Sequence, residues 1–352
     1  MSLARYLNYA SFGPPTARVL AAAHDIDRRA AAGEPAAGLH AADDDAIAAA
    51  AGLVGFPARG VVVSPNTSTG LMQAAFAVPA GRVLVPRAEF PANLYPWRRA
   101  AEAGRISLGL VEAADPRRPG ATEDIAAALT PDTVAVAVSA VSFRTGFRAD
   151  LAALREAIGD RLLVVDAIQA MGVVDQDWTA ADVVVSGGQK WLRAGWGTGF
   201  AAFSDRALDR LVPALSGWTG VTDSGVYSGE EHPRRADARR FTMTNGSPAA
   251  SAALAAGIRD VVEAGVGRVA ASVAGKAAML RRALADRGAE VVTPEEHAGI
   301  VVARFAGAAA VHARLAAAGF STTLIDDDRV RFSPHGNTPA DTLAEAVAVA
   351  CA

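Results

Sequence analysis

The feature that most constrains this chain is a regular exchange of two patterns through its first two thirds. Short β-branched runs, "GVVVS" (60–64), "GRVLVP" (81–86), "RISLGLV" (105–111), "TVAVAVS" (133–139), "RLLVVDA" (161–167), "ADVVVSG" (181–187) and "GFAAFS" (199–204), read as strands. Ala-rich stretches with helical periodicity separate most of them, including 67–78, 92–103, 122–129 and 149–159. Several runs are apolar at successive positions, as strands covered on both faces require. The alternation predicts an α/β fold with a doubly wound, mainly parallel sheet. The two runs flanking 190–198 are closely spaced, so one of them is expected to be antiparallel.

From about residue 245 the pattern changes. Two long helical stretches, "SPAASAALAAGIRDVVEAGV" and "GRVAASVAGKAAMLRRALADRG", precede the shorter runs 290–293, 299–305, 320–325 and 329–333, with helices near 307–318 and 338–350. The reading is a large domain over 16–245 and a smaller α/β domain made from 1–15 and 246–352, in keeping with a length of 352 residues. The polar segment 222–240 is expected to run over a surface or a subunit interface.

A formal net charge of -3 argues against a nucleic-acid partner. The start, "MSLARYLNYASFGPP", has no apolar signal core, and no long uncharged stretch suits a membrane span, so the expectation is a soluble, cytoplasmic protein. One cysteine, Cys351, allows no internal disulfide and no cysteine-based metal centre, and the six histidines form no metal motif.

Of 34 basic residues only Lys190 and Lys276 are lysines; the other 32 are arginines. Arginine carries charge but cannot lose its proton to become a nucleophile, whereas a desolvated lysine can. Lys190 follows the strand-like run "ADVVVSGGQ", and Asp166 ends "RLLVVD", with Gln169 three residues on. Ligands of open α/β sheets bind at the carboxyl ends of strands, where these residues fall. Lysine and carboxylate together suit pyridoxal 5'-phosphate (PLP), which needs a lysine Schiff base and an acid at its pyridine nitrogen. The turn "SPNTSTG" leads from a strand into a helix and offers an anion site with Thr67 and Ser68 as hydroxyl donors. Taken singly, these residues also suit ordinary caps and loops. Their order and placement favour PLP. "GWGTGF" follows no first strand, which weakens a nucleotide-binding oxidoreductase reading, and no Walker-type stretch is present.

The ordered set "VVDAIQA…ADVVVSGGQKWL…GTGF" resembles the class V aminotransferase and cysteine desulfurase group of fold-type I PLP enzymes, and the resemblance runs from "YLNYASFGP" to "RVRFSPHGNT". It implies that Lys190 carries the Schiff base and moves protons, that Asp166 pairs with the pyridine nitrogen, and that Gln169 meets the ring hydroxyl. Thr67, Ser68, Ser186 and Gln189 would hold the phosphate. In "EFPANLYPW" the aromatic face over the cofactor falls on Phe90, and Arg331 would grip the substrate carboxylate, with Ser142 and His335 near the substrate. The resemblance further implies a homodimer in which Thr244 or Asn245 of "RRFTMTN" reaches the phosphate of the partner subunit.

The chain departs from that pattern in three places. Phe90 stands where desulfurases stack a histidine, Gln189 where many relatives have histidine, and "STTLIDDDR" lacks the desulfurase loop cysteine. These departures disfavour persulfide formation. The expected activity is a class V aminotransferase acting on a small α-amino acid, with a β-eliminating carbon–sulfur lyase or an epimerase as alternatives. A PLP-binding protein without catalysis is a separate possibility, which the substrate-gripping Arg331 argues against.

Overall fold

The seven strand-like runs pair into one sheet in this computed structural model, which describes residues 3–352. They are β1 (Val61–Val63), β2 (Arg82–Pro86), β3 (Ser107–Val111), β4 (Thr133–Ser139), β5 (Leu162–Asp166), β6 (Val183–Gly187) and β7 (Gly199–Phe203). Their order across the sheet is β1-β7-β6-β5-β4-β2-β3. β3, β2, β4, β5 and β6 run parallel, while β7 is antiparallel to both β6 and β1. The closely spaced pair around 190–198 is therefore β6 and β7, as the spacing predicts.

The helices are α1 (Ala17–Ala31), α2 (Ala36–Leu39), α3 (Ala41–Val54), α4 (Thr67–Ala77), α5 (Pro91–Glu102), α6 (Thr122–Ala128), α7 (Leu151–Ile158), α8 (Asp205–Arg210), α9 (Pro248–Ala264), α10 (Val266–Asp286), α11 (Ala308–Ala317) and α12 (Ala340–Ala350). Alternate strand residues feed two cores on opposite faces of the sheet. Val136, Val138, Leu163 and Val165 enter one, whereas Ala135, Ala137, Leu162 and Val164 enter the other. The unbroken apolar runs follow from this double cover. One close approach fixes α4: a Cβ on Gly70 would lie 2.6 Å from a Val185 methyl, so glycine lets the helix settle on β6.

Asp182, just before β6, ties the sheet to its surroundings. It is buried and accepts from Arg155 Nη1 (2.9 Å), Arg206 Nε and Nη2 (2.8 and 2.6 Å) and Leu163 N (2.7 Å).

A second, antiparallel sheet is ordered β10-β11-β9-β8, from β8 (Glu290–Val291), β9 (Val301–Arg304), β10 (Thr323–Ile325) and β11 (Arg329–Phe332). The N-terminal segment joins it, with Tyr6 bridging to Ser321 and Asn8 to Ser333. Leu7 is buried in the core of this sheet, among Val330 and Phe332. Met1 and Ser2, part of the segment 1–15 assigned to the smaller domain, lie outside the described residues. Over 222–240 the chain is mostly turns and bends; the short 3-10 helix Trp218–Gly220 precedes it and another, Ala238–Phe241, begins at its end. Among the described residues, no helix is long and apolar enough to cross a membrane.

Candidate active site

The carboxyl ends of β4, β5 and β6 converge, and the polar residues at these strand ends build the site. In register, Ser139 of β4 faces Asp166 of β5. Asp166 is 2% exposed, its Oδ1 accepts from Ile168 N at 3.0 Å, and burial raises its pKa to about 6 against the pull of Lys190. No arginine or lysine lies within ion-pair distance of it among the described residues. One oxygen of a buried acid is thus left for a cationic donor.

Lys190 stands in the turn after β6. Gly188 N donates to Thr198 O and Ala194 N to Gly188 O, both closing the loop that follows. The residue keeps some exposed surface, yet its amine is set among protein atoms, 5.5 Å from the centroid of the Phe90 ring. Desolvation lowers its pKa to about 8; Asp166 opposes that shift and Arg331 adds to it. Phe90 caps the start of α5 and meets Phe143 edge-on at 4.9 Å. Phe90, Phe143, Val141 and Ile168 wall a narrow pocket with a cavity volume of only about 10 Å³, whose polar lining is Ser139, Asp166, Gln169 and Lys190.

A second group of residues suits an anion. Asn66 caps α4 by accepting from Thr69 N at 2.9 Å, which leaves the first helical N–H groups to point outward. Buried Thr67 accepts from Gly187 N at 2.8 Å, so its own hydroxyl proton is free to donate. A Cβ at Gly187 would fall 2.3 Å from Gln189 Oε1 and 3.1 Å from Thr67 Oγ1, so a side chain there would push the end of Gln189 aside and fill this space. Ser68 is exposed at the same helix end, and Ser186 is fully buried with its hydroxyl donating to Gly187 O.

Gln169 lines the pocket, but the fold uses its amide. Nε2 donates to Ala10 O at 2.9 Å and Oε1 accepts from Trp191 Nε1 at 3.1 Å. Only its second N–H remains for the ring contact expected from the sequence. Ser142 is a turn residue, accepting from Arg144 N, and the pocket wall is formed by its neighbours Val141 and Phe143 instead. His335 packs against Tyr9 at 4.9 Å, and burial together with the charge of Arg193 lowers its pKa to about 4. Thr244 and Asn245 are exposed, with Thr244 Oγ1 accepting from Trp218 Nε1.

Arg331, on β11, is 5% exposed. Its Nη2 donates to Ser11 Oγ at 2.6 Å and more weakly to Thr323 Oγ1 at 3.4 Å, and Nη1 donates to Phe143 O at 3.3 Å. Its Nε has no partner, and burial lowers its pKa to about 10. No carboxylate pairs with it among the described residues.

Sequence reasoning missed two polar groups here. Ser139 ends a strand as Asp166 does, and the same strand-end rule points to it. Glu89 precedes Phe90, and burial beside Ser139 and Asp166 raises its pKa to about 7. Elsewhere, a wider cleft between α1, α3 and α9 is lined by Arg18, Arg29 and Arg259. Those arginines are paired with Glu263, Glu34 and Asp45, and its lining includes no nucleophile. No group of three metal-ligating side chains occurs among the described residues.

PLP suits this arrangement on three structural counts: the open cradle at Gly187, the unpaired buried acid at Asp166, and the desolvated amine beneath an aromatic ring. Solved structures share the architecture. The cystine C–S lyase C-DES, in complex with its reaction product cysteine persulfide, superposes with a TM-score of 0.90 at 18% identity over 99% of this chain and 97% of that one. A C-DES variant with glycine covalently linked to its PLP cofactor gives 0.90 at 18%, covering 99% and 96%. The cysteine desulfurase CsdA from Escherichia coli gives 0.85 at 20%, covering 99% and 94%. At such identities the likeness speaks for the fold. No curated protein sequence matches the chain. The family model described as aminotransferase class-V matches residues 40–318. With that match over most of its length and a fold-type I frame around Lys190, the chain belongs to the class V aminotransferase family of PLP enzymes.

Proposed function

We infer that this enzyme acts on a small α-amino acid whose carboxylate pairs with Arg331. The observation that carries the reading is a buried guanidinium surrounded only by neutral acceptors. Burying a cation without a counter-charge costs several kcal/mol, roughly, and a substrate carboxylate removes that cost. Arginine's planar fork also fixes the carboxylate in orientation.

When bound, PLP supplies an electron sink for charge developing at the substrate α-carbon. Thr67, Ser68, Ser186 and Gln189 would hold its phosphate, Lys190 would be the amine that attaches it, and Asp166 would hold a proton at its ring nitrogen. Lys190 would also serve as general base toward the substrate α-proton, a role that its lowered pKa suits. Phe90 and Phe143 exclude water from the reacting atoms. The reading includes a homodimer in which Thr244 or Asn245 reaches the partner's phosphate; exposed Trp218 and Met243 beside them support it.

Transamination is the first reading, in line with the description of the family model. β-Elimination, the chemistry named for C-DES, is the second. One observation favours it over persulfide formation on the enzyme: Cys351 ends α12, packed among the apolar residues of the second sheet and away from the pocket. A sulfur leaving group would then depart free, with pyruvate and ammonia as the other products. Purified protein loaded with PLP is mixed with single L-amino acids, without keto acid, while absorbance, keto acid and sulfide are followed. Stoichiometric bleaching with one equivalent of keto acid supports the aminotransferase. Continuous pyruvate release with a persistent cofactor band supports the lyase. Absence of any cofactor band sinks both.

A further inference from the structure

Arg331 is held by neutral groups alone, and the hydrogen-bonding capacity of those groups fixes which way each proton points. Across the β10–β11 pair Thr323 stands directly opposite Arg331, so both side chains lie on one face of the sheet. A turn of the N-terminal segment completes the group. Ser11 N closes it by donating to Asn8 O at 3.0 Å, and Ala10 N ties it to Ser333 Oγ at 2.9 Å, two residues beyond the arginine. From this turn the side chains of Asn8 and Ser11 both reach Thr323.

The protons run in one direction. Thr323 Oγ1 donates to Asn8 Oδ1 at 2.7 Å, which uses its only proton. Toward Ser11 Oγ, 3.2 Å away, Thr323 can therefore only accept, so the Ser11 proton points to it. Ser11 Oγ is left with its lone pairs, and it accepts from Arg331 Nη2 at 2.6 Å. The other contacts of the guanidinium are longer: 3.4 Å from Nη2 to Thr323 Oγ1 and 3.3 Å from Nη1 to Phe143 O. Ser11 is thus its one short anchor among the described residues, and each bond in the row Arg331–Ser11–Thr323–Asn8 strengthens the next. With its proton committed to Thr323, Ser11 has none to give a substrate carboxylate. It can act on the substrate only through Arg331.

We propose that Ser11 is a positioning residue: backed by Thr323 and Asn8, it fixes the roll of the Arg331 guanidinium and so sets the orientation in which a substrate carboxylate is received. The proposal rests on the reading of Arg331 given above. A planar donor fork grips a carboxylate best when its plane is set beforehand. Held by the longer contacts alone, the arginine loses that preset plane.

Equilibrium titrations of the full-length, PLP-loaded protein test this, followed by cofactor absorbance. The probes are L-alanine and ethylamine, which is the same molecule without its carboxylate. Ser11→Ala is expected to weaken L-alanine binding roughly tenfold, the loss of one hydrogen bond to a charged group, and to leave ethylamine unchanged. In an Arg331→Ala background the same change should add nothing. Equal losses for both probes, or a further loss in that background, overturn the proposal. If Ser11→Ala fails to fold, Thr323→Val decides: a smaller loss confined to L-alanine is expected, and unchanged affinity overturns the proposal. Intact L-alanine binding in Arg331→Ala refutes the arginine reading and the proposal with it. A loss in Arg331→Ala without one in Ser11→Ala refutes the proposal alone. A second measurement needs no cofactor. In nitrogen-15 NMR spectra of the cofactor-free protein, with Arg331 assigned by Arg331→Lys, its Nη protons should give separate signals that merge in Ser11→Ala. Merged signals in the unaltered protein overturn the proposal, so it stays decidable even if the protein takes up no PLP and the cofactor reading falls.

Discussion

Gly13 donates its backbone N–H to the carbonyl of Gln189, the residue before Lys190, at 2.8 Å. The N-terminal segment continues this contact with Arg193 Nε donating to Pro14 O, and it supplies Ser11 to Arg331 and Ala10 to Gln169. One stretch of chain thus braces both the Lys190 turn and Arg331. A Cβ on Gly13 would sit 1.9 Å from Lys190 O, which no side chain can accommodate without displacing the turn. Gly13→Ala is expected to cost about 1–3 kcal/mol, the range for overpacking. Thermal unfolding, with a parallel measurement of cofactor uptake, checks it, and an unchanged Tm with full uptake would count against the bracing role.

Lys190 should capture the cofactor as a neutral amine. With a pKa of about 8, the neutral fraction rises about tenfold between pH 7 and pH 9. Stopped-flow absorbance on cofactor-free protein should show the capture rate rising over that window and levelling above it. Lys190→Arg retains the charge and should abolish the covalent band at every pH.

Arg331→Ala should leave cofactor content unchanged while kcat/KM for the amino acid falls roughly 30- to 1,000-fold, corresponding to about 2–4 kcal/mol for a truncated buried ion pair. Steady-state kinetics with the absorbance of the bound cofactor as control separates the two effects. Loss of the cofactor band in this variant would place Arg331 in the fold rather than at the substrate.

Removing the carboxylate of Asp182 leaves Arg155 and Arg206 facing each other over a buried backbone N–H. Asp182→Ala is expected to destabilise the protein by about 2–4 kcal/mol, below the full cost of breaking a buried pair because both arginines keep some contact with water. Urea unfolding measures it; a change under about 0.5 kcal/mol, the usual effect of a surface substitution, would refute it.

Lys190, Asp166 and the α4 turn were legible in the sequence because each lies at a strand end, and strand ends announce themselves as a polar residue closing an apolar run. The antiparallel β7 was legible too, since too few residues separate it from β6 for a crossover. Helices α1 and α3 did not stand out, because no β-branched run flanks them before β1. Glu89 was not legible because its chemistry comes from Ser139, a residue on another strand that only folding brings to it. Gln169 shows the converse: the sequence offers it to the cofactor, while the fold binds its amide to Ala10 and Trp191.

The antiparallel β7 has a consequence for assembly. β1 is the first strand of the large sheet to be synthesised, yet its one strand partner among the described residues is β7, with Val61 set against Ala202. A growing chain therefore carries β1 unpaired until almost every other strand of that sheet has been made. Lys190 lies in the turn between β6 and β7, so its loop closes with the same late event. Pairing across so long a stretch is slow, because loop-closure entropy must be met before the contacts are gained. If Lys190 is the lysine that binds PLP, reactivity toward PLP is expected to appear only when the sheet is complete.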